Sequence, residues 1–372
     1  MQKKRRDFIK QMGCVGIGFS LMPSLAFSEP MAHDNFCGAE IADENEISAW
    51  LRVLENGKIE VLTGKMELGQ GIRIAVMQVA AEELHTHIDN ITVNLAETGV
   101  TPDEGYTAGS NSIVSSAMAV RQAAASAREV LLGLASEKMK IPVSELKLED
   151  GHISHKSKKI SFAEVLNGKQ FNQKINKNVN IQAKKTNNWV GKPIFRKDIN
   201  NMVAGKHTYV QDLRFPGMIH ARVIRPEGYN AKLIDLDTKI VSDSEGFLKV
   251  VQLGSFIGVL AEEEYQAIKM RDQLNNRAKW ENKEKLPANE DLKSHIKSLE
   301  TDTKTDENKG NSANSIAESA IKHTASYSKP YIMHAANGPS CAVALYQNDK
   351  LNVWSHTQGV YPLRKTLSAL LE

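Results

Sequence analysis

Three features of the sequence predict an α+β fold. Short runs of alternating apolar and polar residues turn at Asn-Gly and Asp-Gly corners, longer segments keep apolar residues at helical spacing, and a polar stretch rich in Asn and Lys divides the elements into two groups. At 372 residues, with 41% hydrophobic and 24% charged content, the chain has material for two or three domains and a sizeable core. The net charge of +3, from 47 basic and 44 acidic residues, arises partly in the first ten positions, and no basic patch with interleaved aromatics marks a nucleic-acid partner.

The elements follow in order. Ile47 to Leu62 alternates around Glu55-Asn56-Gly57-Lys58, a hairpin signature. A strand runs into Gly64, and Gly69-Gln70-Gly71 opens a helix with Ile72, Ala75, Val76, Val79, Ala80 and Leu84 along one face. A short strand is expected at Ile91 to Leu95 and a long alanine-rich helix from about Ile113 to Leu134. A small helix near Pro142 and a hairpin through Glu149-Asp150-Gly151-His152 complete the first group. Residues 172–188 read as a linker. Beyond it come strands at Met218 to Val223, Leu233 to Asp237, Lys249 to Val251 and Ile257 to Leu260, then a helix around Glu263 to Asn276. Residues 282–315 carry almost no large apolar side chain and are expected to be a flexible insertion. Strands return at Cys341 to Tyr346 and Leu351 to Ser355, before a helix starting near Tyr361.

The first residues read as an address. Lys3-Lys4-Arg5-Arg6 precedes a short, glycine-interrupted apolar run from Met12 to Phe27 and the small residues Ala26 and Ser28. That order is a signal peptide of the twin-arginine type over residues 1–28, too short for a stable span, and it implies a periplasmic product.

Chemistry concentrates in two loops. In Gly64-Lys65-Met66-Glu67-Leu68-Gly69-Gln70-Gly71, glycines at a strand-to-helix corner would let backbone approach a ligand, and free amides of the first helical turn would favour an anion. Thr107-Ala108-Gly109-Ser110-Asn111-Ser112 is a second small, polar helix entrance, and two such entrances can converge on one phosphate-bearing ligand. Neither has Rossmann or Walker spacing. Cys14, Cys37 and Cys341 are scattered, so no zinc or iron–sulfur site is encoded by the cysteines. Glu82 and Glu83 are read as a solvated helix face, and His85 and His87, at i and i+2, as surface residues and not a metal pair.

In this order and separation the two loops resemble the pterin-cofactor loops of the molybdenum hydroxylases, the xanthine dehydrogenase and aldehyde oxidase family. Gly191-Lys192-Pro193, Ala204 to Asp212 and Leu213 to Val223 resemble the opening of that family's α/β hammerhead domain, and Val259 to Glu263 through Trp280 its close. Pro330 to Ala335 and Trp354-Ser355-His356-Thr357-Gln358 are similar to the start of the molybdenum-binding region. The nearest subgroup is the isoquinoline 1-oxidoreductase-like large subunits, in which the Gly-Gln-Gly loop precedes the hammerhead domain.

The resemblance implies a partial molybdopterin-binding domain plus an α/β hammerhead domain. Residues 29–171 would be the cofactor-binding segment, 189–281 the hammerhead domain and 316–372 the start of the molybdenum-binding domain. The cofactor implied is molybdopterin, in the cytosine dinucleotide form, with molybdenum. Gly69, Gln70, Gly71, Thr107, Ala108, Gly109, Ser110 and Ser112 would bind it, and Gln358 would hydrogen-bond an oxo ligand. The activity implied is hydroxylation of an aldehyde or N-heterocycle with water-derived oxygen. Implied partners are a small subunit carrying two [2Fe-2S] clusters, a c-type cytochrome and a polypeptide supplying the missing C-terminal half. The family's late glycine-rich loop and glutamate base are expected beyond Gln358, yet the sequence stops fourteen residues after it. The alternative is a catalytically inactive cofactor-binding remnant.

Overall fold

The computed structural model describes residues 43–182, 188–282, 286–336 and 338–371. The export signal expected at 1–28 lies outside the described residues. The chain divides into two compact units, Met1–Leu213 with Ser340–Glu372, and Arg214–Pro339.

In the first unit β1 (Leu51–Val53) pairs antiparallel with β2 (Ile59–Thr63), turning where Gly57 has φ +78°. Helix α1 (Ile72–Glu83) follows, and β3 (Ile91–Leu95) then lies parallel to β2. α1 buries Ile72, Val76, Met77, Ala80 and Ala81, a stripe at helical spacing. It packs on α2 (Met118–Met139), whose buried face is mostly Ala123, Ala124, Ala127 and Ala135. Small side chains there let the two helices approach closely, and each large aliphatic residue sealed between them contributes roughly 1.5–3 kcal/mol. α2 runs further than expected because no proline precedes Pro142; it closes at Lys140, which takes a left-handed conformation. Its front end is different too: Ser112–Ala117 is π-helical, and the Ser115 hydroxyl donates to the Asn111 carbonyl.

β4 (Lys147–Glu149), β5 (His152–His155) and β6 (Lys158–Ser161) form a meander with Asp150 and Gly151 at positive φ in its first turn. A capping box between Ser161 and Glu164 starts α3 (Phe162–Leu166), which buries Phe162 into the same core.

The expected linker is a docked strap in its described part. The Asn176 amide donates to the Ser126 hydroxyl, the Gln122 amide group to the Lys177 carbonyl, and the Ile175 amide to the Asn45 carbonyl. Its polar residues are mostly exposed, and some of them also hydrogen-bond to α2. Beyond the strap lies α4 (Ile199–Val203).

The second unit has a sheet ordered β7 (His220–Ile224), β10 (Phe256–Ala261), β9 (Phe247–Leu253), all antiparallel, and a separate pair of β8 (Lys232–Asp235) with β11 (Lys279–Glu281). α5 (Glu264–Asn275) seats Ala267, Met270 and Leu274 against Ile224, Ile257, Val259 and Ala261. The stretch expected to be structureless carries α6 (Leu292–Ser298) and the start of α7 (Ser312–Glu318), and every described residue from 293 to 336 is exposed.

The chain then returns to the first unit as a hairpin, β12 (Ala342–Gln347) and β13 (Lys350–Ser355), turning at Asn348 and Asp349 with φ +52° and +58°. α8 (Val360–Leu371) follows. Among the described residues, no helix is long and apolar enough to cross a membrane.

Candidate cofactor-binding site

Three segments of the first unit meet: the loop after β2, the loop before α2, and the turn between β13 and α8. The first meeting depends on Gly64. A Cβ there would stand 2.3 Å from the Pro102 carbonyl oxygen and 3.1 Å from the Glu104 nitrogen, so only glycine permits the approach. The Glu104 carboxylate then accepts from the Thr63 hydroxyl at 2.6 Å and the Gly64 amide at 2.8 Å. Lys65, only 4% exposed, donates from Nζ to the carbonyls of Glu104 at 2.7 Å and Tyr106 at 2.9 Å. The Met66 amide donates to the Thr107 hydroxyl at 2.9 Å.

The Gly-Gln-Gly corner departs from expectation in one respect. The amides of its two glycines are not free for an anion, because the Glu67 carboxylate accepts from Gly69, Gly71 and Arg73 at 2.9, 3.0 and 3.2 Å, and Arg196 approaches it at 3.5 Å. A carboxylate of the chain itself thus occupies the helix entrance. Gln70 is likewise engaged inside the loop, accepting from the Leu68 amide and donating to the Met66 carbonyl. Its side chain shapes the corner.

The second loop keeps its donors. Gly109 and Ser110 have φ +63° and +59°, and a serine in that region is a strained choice. Ala108, Gly109 and Ser110 are exposed, and their amides take no partner among the described residues. Ser110 is exposed and Ser112 half-buried. Amides and hydroxyls converging on solvent at a helix entrance make a donor set suited to phosphate oxygens.

Gln358 closes the third side. The Thr107 amide donates to the Gln358 carbonyl at 2.8 Å, and Gln358 Nε2 donates to the Thr107 carbonyl at 3.2 Å. Gly359 permits this, since a Cβ on it would lie 2.8 Å from the Gly105 carbonyl oxygen. The Tyr361 hydroxyl donates to the Thr101 carbonyl and accepts from the Gly99 amide, and burial pushes its phenol up from the ordinary value. The structure therefore brings Thr107 and Gln358 together across 251 residues. Gly64, Lys65, Glu104, Gly359 and Tyr361 went unnoticed as organisers; only the glycine-flanked spelling around Gly64 hinted at one of them.

Glu82 and Glu83 overturn the solvated-face reading. Glu83 is fully buried, paired with Arg121 at 2.8 Å and Arg128 at 2.6 Å, and accepts from the Gln182 amide. Glu82, also buried, accepts the amides of Asn188, Trp189 and Val190. Both carboxylates fasten the strap. His85 and His87 are exposed at the far end of α1, and desolvation lowers the pKa of His85. Among the described residues no group of three His, Cys, Asp or Glu could hold a metal ion.

Comparison with known proteins gives the family. The molybdopterin cofactor-binding domain model matches residues 2–206, and the chain belongs to that family. It is similar to a nicotinate dehydrogenase component, the B polypeptide, of Pseudomonas putida KT2440, at 34% identity over 88% of this chain and 28% of that protein. It is also similar to the beta polypeptide of the isoquinoline 1-oxidoreductase of Brevundimonas diminuta, at 24% identity over 59% of this chain and 33% of that one. The chain thus spans about a third or less of the length of these relatives. A solved quinoline 2-oxidoreductase from Pseudomonas putida 86 aligns at 25% identity and TM-score 0.27 over 31% of this chain and 15% of that chain. So partial an overlap leaves the family assignment resting on the sequence matches.

Proposed function

We propose that this chain is the cofactor-holding portion of a molybdenum hydroxylase large subunit, acting on an aldehyde or N-heterocycle. The observation that carries the reading is the reciprocal hydrogen bonding of Thr107 and Gln358, which sets the free donors of Ala108, Gly109, Ser110 and Ser112 beside the glutamine. Those donors would hold the anionic tail of the molybdopterin, in its cytosine dinucleotide form. Gln358 Nε2 spends one N–H on Thr107 and keeps a second for an acceptor on the cofactor. Gly69, Gln70 and Gly71 would shape the wall, the two glycine amides being held by Glu67. The bound cofactor supplies the oxidising centre and the water-derived oxygen; the chain orients it.

Residues 189–281 would be the hammerhead domain. A further polypeptide would cover the exposed apolar rim of Leu68, Tyr106, Ile113, Val114 and Met118 and contribute the glutamate base that the family resemblance implies. Electrons would leave through a small subunit with two [2Fe-2S] clusters and a c-type cytochrome, in the periplasm after twin-arginine export. The alternative reading is a module that binds cofactor but turns over nothing.

Co-expression with and without such a polypeptide, in cells that make the cofactor, separates these. Molybdenum by elemental analysis should be bound by the wild type and fall several-fold in Gln70→Leu and Gln358→Leu, whereas equal metal in all three removes the site. Dye reduction with aldehydes or heterocycles only in the co-expressed pair supports the enzyme; binding without reduction supports the module. Fractionation of the same cells, with Arg5 and Arg6 both changed to Lys, reads export: undiminished periplasmic protein rejects it.

A further inference from the structure

We propose that Lys65 is a positioning residue that supplies the positive floor of the second loop, selecting a phosphate-bearing anion at Ala108–Ser112; this rests on the reading of that loop as the cofactor's anion site. An ammonium 4% exposed has left water at high cost. Carboxylates usually balance such a charge, and here Glu104, whose carbonyl Lys65 contacts, has its carboxylate engaged by Thr63 and Gly64. Lys65 instead donates to two carbonyls, Glu104 and Tyr106, leaving its unit charge without a counter-ion among the described residues. Both carbonyls belong to the loop that ends in the open amides. The same contacts therefore fix the loop's backbone and hold a positive charge at the Tyr106 carbonyl, two residues before the first of its open donors. An anion on the outer face would supply the missing charge balance, and its attraction to Nζ is strengthened by the surrounding protein.

Titration of the full chain with inorganic pyrophosphate, followed by calorimetry, tests this. Wild type should bind; Lys65→Met should bind at least tenfold more weakly, and Lys65→Arg should recover most of the loss. Thr107→Val serves as the comparison, since it loosens the loop without changing charge. Weakening in Thr107→Val equal to that in Lys65→Met, or no recovery with Arg, overturns the charge role. If Lys65→Met does not fold, the ammonium nitrogen resonance of Lys65 in wild type, assigned by its loss in Lys65→Arg, should shift on adding pyrophosphate, and an unmoved resonance rejects the proposal. Wild type that ignores pyrophosphate altogether sinks the anion-site reading itself, and the Lys65 role with it.

Discussion

At Gly64 the absence of one methyl group decides whether two loops can touch. Gly64→Ala would drive a Cβ to 2.3 Å from the Pro102 oxygen, so the second loop must retreat, at about 1–3 kcal/mol. Gly69→Ala adds a methyl where nothing lies within 4 Å and incurs only left-handed strain, about 1 kcal/mol, at φ +97°. The two should part in hydrogen exchange. Gly64→Ala should expose the Met66 and Thr107 amides, while Gly69→Ala leaves both protected; equal protection in both variants refutes the contact. The glycine-rich spelling of this segment was readable from the sequence. Which glycine meets a neighbour was not, because the Pro102 oxygen approaches from 38 residues away.

At the scale of elements, α1 and α2 were legible because their apolar stripes are local. The strap over them was misread because its partners are distant. Glu82 and Glu83 end a helix, where acidic residues usually face water, and nothing nearby in the chain announces Arg121, Arg128 or the amides of residues 188–190. Glu83→Gln would leave two guanidinium groups facing a neutral buried amide with no carboxylate between them. Removing one member of a buried ionic cluster costs about 3–5 kcal/mol, whereas Glu60→Gln, which breaks a looser pair with Arg52 at 3.8 Å, should cost below about 1 kcal/mol. Urea midpoints measure both. Gln182 should lose hydrogen-exchange protection in the first variant only; a Glu83→Gln protein as stable as Glu60→Gln would show that the cluster does not hold the strap.

Across the whole first unit, the return of residues 340–371 completes the site, and Tyr361 locks that return through Thr101 and Gly99. The hairpin and helix of this segment were legible from their own spacing, and the Thr357-Gln358 pair from its resemblance. Their docking onto the second loop was not, since it joins positions some 250 residues apart and meets Thr107 only through that residue's backbone amide and carbonyl. The lock has a pH dependence with a definite sign. Burial raises the folded phenol above its ordinary value, so the protonated, donating form is favoured in the folded chain. Its contribution is complete below about pH 10, the unfolded value, and is lost as pH rises through the folded one. Tyr361→Phe should therefore cost about 1 kcal/mol at neutral pH, one hydrogen-bonding group's worth, and the difference from wild type should close in alkali. Melting temperatures of the two proteins between pH 7 and 11 provide the measurement. Because the same lock holds Gln358 against Thr107, exchange of the Thr107 amide should accelerate in Tyr361→Phe at neutral pH and in wild type only in alkali. A gap in stability that stays constant across that range would place the phenol outside the device that closes the site.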